Sequence, residues 1–196
     1  MAISRRIPGF FLFAAMALAA LLWAQPMGFA APVSKPPEVV TADVKAVMSA
    51  VRRPGAKAVL VNVWATWCDP CVAEMPDILK FYNESRNRGL RLILVSADAS
   101  TAKKQVSRFL AGMGVEFRSY LKTGDDMAFI DGLDPRWDGT LPASLLFDGS
   151  GQKKRLWSGP VTYEALKKEL DGMLSGAPEP ATPSDPNEGQ SKRRTP

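Results

Sequence analysis

Apolar runs in the middle of the chain predict the strands of a β-sheet. Residues 58–64 (AVLVNVW) and 90–97 (LRLILVSA) are mostly apolar and rich in Val, Ile and Leu. Runs of this kind are typical of strands that are buried on both faces. Residues 143–147 and 153–157 flank the turn sequence DGSG, which predicts a β-hairpin. A further strand is predicted over residues 117–121.

Segments that follow a helical period lie between and after these strands. The predicted helices cover residues 41–53, 70–87, 100–112 and 162–174. Thr41, Ser100 and Thr162 are suitable N-caps for three of them. Pro76 lies inside the second helix and predicts a kink there. Residues 122–138 show no period that favours a helix or a strand.

The order of these elements predicts an α/β fold. Strand and helix alternate twice before the hairpin and the last helix, and such alternation followed by a hairpin indicates a mixed sheet. A chain of 196 residues is long enough for one domain with a substantial core. We therefore predict a single domain, in which helices flank a mixed sheet on both faces.

The N-terminus has the features of a secretory signal peptide. Arg5 and Arg6 precede an apolar run over residues 10–24, and small residues follow. This order predicts a signal peptide over residues 1–30, with cleavage after Ala30. The alternative is a retained membrane anchor, although 15 apolar residues are fewer than the roughly 20 that span a bilayer. Both alternatives imply export.

Two further segments are predicted to lie outside the folded domain. Residues 31–37 are interpreted as a linker, and residues 176–196 contain five prolines in 21 residues with few apolar side chains. Such a composition cannot bury enough surface to offset the entropy of ordering, which predicts a disordered tail. The folded domain is then expected to cover residues 38–175.

Composition and charge exclude several classes of function. The chain has no histidine, which excludes histidine-based acid–base catalysis and imidazole metal sites. Its two cysteines are too few for a four-cysteine zinc or iron–sulfur site in one chain. The net charge of +5 is spread without a basic stripe, so we expect no nucleic-acid binding. We also expect no metal or other cofactor.

The two cysteines form the motif Cys68-Asp69-Pro70-Cys71, where the first buried strand passes into a helix. A thiol at a helix N-terminus faces unpaired N–H groups, which stabilise its thiolate. The spacing lets the second thiol attack the first sulfur after a mixed disulfide has formed. Half of a zinc site would lack soft ligands, and a structural disulfide would close too short a loop to stabilise the fold much. We therefore favour a redox-active pair.

The residues around this motif resemble a known family. Residues 64–71 read WATWCDPC, which resembles the WCxPC motif of the thioredoxin superfamily and, more narrowly, of the TlpA-like exported thiol–disulfide oxidoreductases. Pro76 matches the kink proline of the active-site helix, and Leu141-Pro142 matches the cis-proline loop that faces the cysteines. Glu74 matches a glutamate of TlpA-like reductases. The resemblance implies a thioredoxin-like fold over nearly the whole domain.

The resemblance also implies a role for each of these residues. Cys68 is expected to attack the target disulfide, and Cys71 is expected to resolve the mixed disulfide. Leu141 and Pro142 are expected to bind the backbone of the target. Trp67, beside Cys68, is expected to cover the site or to contact a partner.

One position departs from the pattern of the superfamily. Cytosolic thioredoxins have a buried aspartate six residues before the first cysteine, whereas this chain has Asn62. Because an amide cannot accept or deliver the proton, another group must assist Cys71. Glu74 lies one helical turn from Cys71 on nearly the same face and is the candidate. The alternative is that Glu74 is a solvated carboxylate on the helix surface.

Asp69 bears on the direction of electron flow. A carboxylate beside Cys68 disfavours its thiolate, which predicts a reducing couple. In an oxidising compartment such a couple must be re-reduced, and the resemblance implies a membrane protein as the electron donor. We thus predict an exported reductase, periplasmic or anchored to the outer face of the inner membrane.

The targets of this reductase are expected to be exported proteins that carry a disulfide. Apocytochromes c before haem attachment and copper-site proteins are the two classes that the resemblance implies. Two alternatives use the same cysteines: a Cu(I)-binding metallochaperone module and a disulfide-forming oxidant.

Overall fold

A six-stranded sheet forms the centre of the part of the chain that the computed structural model describes, residues 36–175. Its strands are β1 (Val39–Ala42), β2 (Ala58–Trp64), β3 (Leu90–Ser96), β4 (Ser119–Lys122), β5 (Ala143–Asp148) and β6 (Lys153–Ser158). They lie in the order β1-β4-β3-β2-β5-β6. The first four are parallel, and β5 and β6 extend the sheet in antiparallel pairing. This is the predicted mixed sheet.

Five α-helices within residues 36–175 pack on the two faces of this sheet. They are α1 (Val44–Arg52), α2 (Asp69–Ser85), α3 (Lys103–Gly112), α4 (Asp126–Leu133) and α5 (Tyr163–Ser175). Buried side chains of α2, α3 and α5 share one apolar core with the sheet, and those of α1 and α4 share a second core. The prediction of helices on both faces is therefore confirmed.

Strand β2 lies between these two cores, and all seven of its residues are buried. Leu60 and Trp64 belong to the core formed with α2, whereas Val61 and its alternate neighbours belong to the core formed with α1. Because successive side chains of a strand point to opposite faces, Asn62 points to the α2 side. A polar amide thus occupies a core position directly under the helix that carries the cysteines.

The start of the domain differs from the sequence prediction. Thr41 lies in β1, which pairs with β4 at the edge of the sheet, and it does not cap a helix. Asp43 is the N-cap of α1, and its carboxylate accepts a hydrogen bond from the Ala46 N–H at 2.8 Å. An edge strand of four residues is too short to show a period of its own.

Residues 122–138, for which the sequence predicted neither a helix nor a strand, contain helix α4. Asp125 caps this helix by accepting a hydrogen bond from the Ala128 N–H at 2.8 Å. The predicted cap of α5 is present, because the Thr162 hydroxyl accepts a hydrogen bond from the Ala165 N–H at 3.3 Å.

The predicted signal peptide, the predicted tail and residues 31–35 lie outside the described residues. Pro37 packs against the folded part, where its carbonyl oxygen accepts a hydrogen bond from the Ser107 hydroxyl at 3.2 Å. From residue 36 to residue 175, no helix has both the length and the apolar character needed to cross a membrane.

Candidate active site

The two cysteines lie where β2 passes into α2, and they are joined by a disulfide bond with the Cα atoms 5.2 Å apart. Cys68 is the N-cap of α2, and its Sγ accepts a hydrogen bond from the Cys71 N–H at 3.3 Å. Cys71 is fully buried, whereas Cys68 is 6% exposed. Of the two cysteines, Cys68 is thus the one that keeps exposed surface, and it lies at the positive end of the helix dipole.

The turn before the cysteines is held by a buried carboxylate, Asp98, which follows β3. Asp98 accepts hydrogen bonds from the Thr66 N–H at 2.9 Å and from the Ser96 hydroxyl at 2.7 Å. These bonds tie the turn that carries Trp67 and Cys68 to the neighbouring strand. Sequence reasoning missed this residue, although a polar side chain just after a buried parallel strand lies at the sheet edge where sites form.

The residues next to Cys68 in the chain have exposed side chains. Trp67 is 66% exposed, although large aromatic side chains are usually packed. Asp69 and Pro70 are also exposed in the first turn of α2. An exposed apolar side chain and an exposed carboxylate are thus the immediate neighbours of Cys68 in the chain.

Glu74 is buried in the α2 core and is not a solvated surface carboxylate, being only 7% exposed. Its Oε1 accepts a hydrogen bond from Asn62 Nδ2 at 2.9 Å, and its Oε2 accepts one from the Val161 N–H at 2.8 Å. Burial raises the pKa of Glu74 above its ordinary value, and the nearby Asp77 acts in the same direction. The two hydrogen bonds lower this pKa and offset part of the rise.

The Leu141-Pro142 peptide bond is cis, and Pro142 is buried. Pro142 directly precedes Ala143, which pairs with Val63 near the end of β2. The loop therefore lies at the same edge of the sheet as the turn that leads to Cys68. The Pro142 carbonyl oxygen accepts a hydrogen bond from the Gly159 N–H at 2.8 Å, which fixes the loop to the end of β6.

The segment between α4 and this loop is held by a second buried carboxylate, Asp134. Asp134 accepts hydrogen bonds from the backbone and side chain of Arg136, and it pairs with Lys153 at 2.6 Å. Burial opposes ionisation, but the bonds to Arg136 and Lys153 are stronger in sum and lower the pKa of Asp134 to about 2. Trp137 then packs inside and donates its Nε1–H to the Thr140 carbonyl at 2.9 Å.

The described residues contain no group of three or more His, Cys, Asp or Glu side chains that could hold a metal ion. The structure places Cys71 and Glu74 one turn apart in the same helix and core, and it places the cis-proline loop on the adjoining strand.

Comparison with known proteins finds similarity to a protein family and to thiol–disulfide exchange proteins. The family model described as Redoxin matches residues 30–151. The thiol-disulfide oxidoreductase ResA of Geobacillus thermodenitrificans is 27% identical over 140 residues, which cover 71% of this chain and 76% of the relative. The thiol:disulfide interchange protein HelX of Rhodobacter capsulatus is 30% identical over 120 residues, 61% of this chain and 62% of the relative.

A solved structure supports the fold. The thiol:disulfide interchange protein of the thioredoxin family from Chlorobium tepidum TLS has a TM-score of 0.53 and 22% sequence identity to this chain. The match covers 64% of this chain and 83% of that protein. At this level of identity, the likeness shows a shared thioredoxin-like fold.

Proposed function

Since the chain belongs to the Redoxin family and is a TlpA-like thiol–disulfide oxidoreductase of the thioredoxin superfamily, we propose that it reduces disulfide bonds of exported proteins. The observation that carries the proposal is the Cys68–Cys71 pair at the N-terminus of α2, in which Cys68 keeps exposed surface and Cys71 has none. In the proposed reaction the Cys68 sulfur attacks the target, and the Cys71 sulfur later attacks Cys68 and so releases the target.

The proposed reaction is a dithiol–disulfide exchange in two steps. The Cys68 thiolate attacks one sulfur of the target disulfide, the other target sulfur leaves as a thiolate, and a mixed disulfide forms. Cys71 then loses its proton and attacks the Cys68 Sγ, and the second target sulfur leaves. Two electrons pass from the cysteine pair to the target, and the pair returns to the disulfide state.

Glu74 is proposed to take the proton of Cys71, directly or through one water molecule. Its burial supports this role, because a carboxyl whose pKa is raised toward the working pH is a better proton acceptor than an ordinary surface carboxylate. Trp67 and the Leu141-Pro142 loop are proposed to bind the target, since both lie at the edge of the sheet from which Cys68 is reached.

The proposed setting is the periplasm or the outer face of the inner membrane, with a membrane protein as electron donor. Disulfide-bearing apocytochromes c and copper-site proteins are the proposed targets. The predicted signal peptide supports export, and the Asp69 carboxylate in the first turn of α2 supports a couple reducing enough to need such a donor.

The reduction potential of the Cys68–Cys71 couple tests the proposal. The oxidised protein is equilibrated in graded thiol buffers, with the fluorescence of Trp64 and Trp67 as the readout. We expect a value close to the roughly −270 mV of thioredoxin. A value close to the roughly −120 mV of a strong oxidant would contradict the proposal and indicate a disulfide-forming enzyme.

Asp69→Asn tests the electrostatic part of this argument. Removing the carboxylate stabilises the Cys68 thiolate and so the reduced form, and we expect the potential to rise by roughly 10–30 mV. Asp131→Asn is the matched control, because it removes the same charge from an exposed position on α4. An equal shift in both variants would show that Asp69 has no special effect on Cys68.

A further inference from the structure

We propose that Asn62 is a positioning residue for the second step of the exchange, because its amide holds the Glu74 carboxylate ready to accept the proton of Cys71. The inference rests on the proposed function, in which Glu74 is that acceptor. In the sequence, Asn62 was notable only because it replaces the buried aspartate of cytosolic thioredoxins.

The geometry of the Asn62 amide is directed toward Glu74. Asn62 is fully buried in the middle of β2, and its Nδ2 donates to Glu74 Oε1 at 2.9 Å and to the Ser144 hydroxyl oxygen at 3.1 Å. Ser144 is the direct partner of Asn62 in the antiparallel pairing of β2 with β5. Both amide hydrogens therefore have acceptors, one on α2 and one on the adjoining strand β5.

The oxygen atom of the same amide, Asn62 Oδ1, is buried and has no hydrogen-bond partner among the described residues. Leaving a buried acceptor unpaired destabilises the folded state, and most buried polar groups avoid it. An apolar side chain could fill the same space in the core without leaving an acceptor unpaired. This cost is explained if the NH₂ group is required by Glu74.

The surroundings of Glu74 show why this donor matters. From β2 it faces Asn62, and from the segment after β6 it faces the Val161 N–H. On its own helix, Asp77 adds a negative charge. Within residues 36–175, no lysine or arginine forms an ion pair with Glu74. Two neutral donors are thus the groups that favour the carboxylate against its burial.

The loss of one donor has a predictable chemical effect. Without the Asn62 amide, burial and Asp77 act against a single hydrogen bond from Val161, and the pKa of Glu74 rises further. A carboxyl that is already protonated cannot take the proton of Cys71, so that proton must go to solvent. The pH at which the second step reaches half of its full rate then moves upward together with the pKa of Glu74.

The test measures the titration of Glu74 in the full-length, oxidised protein. The carboxyl carbons of glutamate are labelled with ¹³C, and the Glu74 signal is assigned by its loss in Glu74→Gln. Asn62→Leu removes the donor while keeping the site filled, and we expect the Glu74 midpoint to rise by at least one pH unit. Asn62→Val is the second variant if Asn62→Leu does not show cooperative unfolding.

Ser144→Ala is the matched control for packing between β2 and β5. It leaves the Asn62–Glu74 hydrogen bond in place, and we expect the Glu74 midpoint to move by less than about 0.3 pH units. A midpoint that is unchanged in Asn62→Leu overturns the inference. So does a shift of equal size in Ser144→Ala, because the effect would then come from packing alone.

A kinetic measurement separates this inference from the proposed function. The second step is followed by single turnover as a function of pH, and in Asn62→Leu the midpoint of its pH profile is expected to move upward by the same amount as the Glu74 midpoint. In a Glu74→Gln background the Asn62 substitution should have no further effect. If Glu74→Gln alone leaves the rate unchanged, the proposed role of Glu74 fails, whatever the titration of Glu74 shows.

Discussion

Trp64 and Trp67 stand three residues apart and have opposite surroundings. Trp64 is fully buried at the end of β2, where its ring packs against Phe109 at a centroid distance of 5.0 Å. Trp67 projects from the turn beside Cys68 and is mostly exposed. An aromatic side chain left in solvent beside a reactive sulfur is suited to contact a partner, since such side chains often dominate binding energy.

We expect Trp67→Ala to impair target binding without affecting folding. The free energy of unfolding should change by less than about 0.5 kcal/mol, because the side chain is mostly exposed. The kcat/KM for a protein disulfide should fall about tenfold, as for an interface residue worth roughly 1.4 kcal/mol.

A small aromatic disulfide serves as the comparison substrate, because it cannot use the same contact surface. Its kcat/KM should change much less than that of the protein disulfide. Equal losses with both substrates would indicate that Trp67 acts on the cysteines themselves. Trp64→Ala should instead destabilise the fold by about 3–5 kcal/mol.

Helices α1 and α4 approach each other closely on one face of the sheet. A Cβ added at Gly132 of α4 would lie 2.7 Å from a Val44 methyl carbon of α1, closer than such atoms pack. Gly172 of α5 has no neighbouring atom within 4 Å of the same position. A side chain larger than hydrogen is therefore excluded by packing at Gly132 but not at Gly172.

Substituting each glycine by alanine should give opposite results. Gly132→Ala should destabilise the protein by about 1–3 kcal/mol, because α1 must shift to admit the methyl group. Gly172→Ala should stabilise it by about 0.5–1 kcal/mol, because alanine loses less backbone entropy on folding. Urea unfolding measures both values, and stabilisation by Gly132→Ala would show that the two helices are not in tight contact.

The segment that joins α4 to the cis-proline loop depends on the charge of Asp134. Its pKa is lowered to about 2 by Arg136 and Lys153, so its ionised form stabilises the fold above the ordinary pKa near 4. This contribution, about 2 kcal/mol at neutral pH, should be lost as the pH falls from 4 toward 2.

Asp134→Asn tests this dependence on pH. The difference in unfolding free energy between the parent protein and the variant should be at least about 2 kcal/mol at pH 7 and should shrink toward pH 2. Denaturant unfolding across this range is the measurement. Asp131→Asn, an exposed position on α4, should show a small difference throughout. A pH-independent difference for Asp134→Asn would contradict the assigned charge.

The parallel strands β2 and β3 end at one edge of the sheet, and the site is assembled there. The carboxyl end of β2 leads to the cysteines, that of β3 leads to Asp98, and the cis-proline loop enters β5 beside them. Pairing within a single sheet thus brings together residues that are far apart in the chain.

The predicted export of this molecule is testable on the full chain. We expect the mature protein to begin at Ala31, because small residues precede this point and the apolar run is short for a membrane span. Intact-mass measurement after expression in a bacterial host, combined with fractionation, provides the check. A protein in the membrane fraction whose mass still includes residues 1–30 would show instead that this segment is retained as an anchor.

Much of the fold follows from local pattern. Strands β2 and β3 were predicted because burial on both faces requires a continuous apolar run. The hairpin was predicted because the sequence DGSG favours a turn. Strand β1 was missed, since an edge strand of four residues carries too few positions to show a period. Helix α4 was missed because residues 122–138 mix apolar and acidic positions without a regular spacing.

For the site, the sequence alone determined the chemistry: two cysteines at a strand-to-helix junction and no histidine to assist them. The tertiary structure sets the environment of that chemistry. It buried Glu74 and joined it to Asn62, twelve residues away, and to the Val161 backbone, 87 residues away. Hydrogen-bond partners of this kind are set by the packing of β2, α2 and the end of β6. No local pattern encodes them, because each depends on the position of an element distant in sequence.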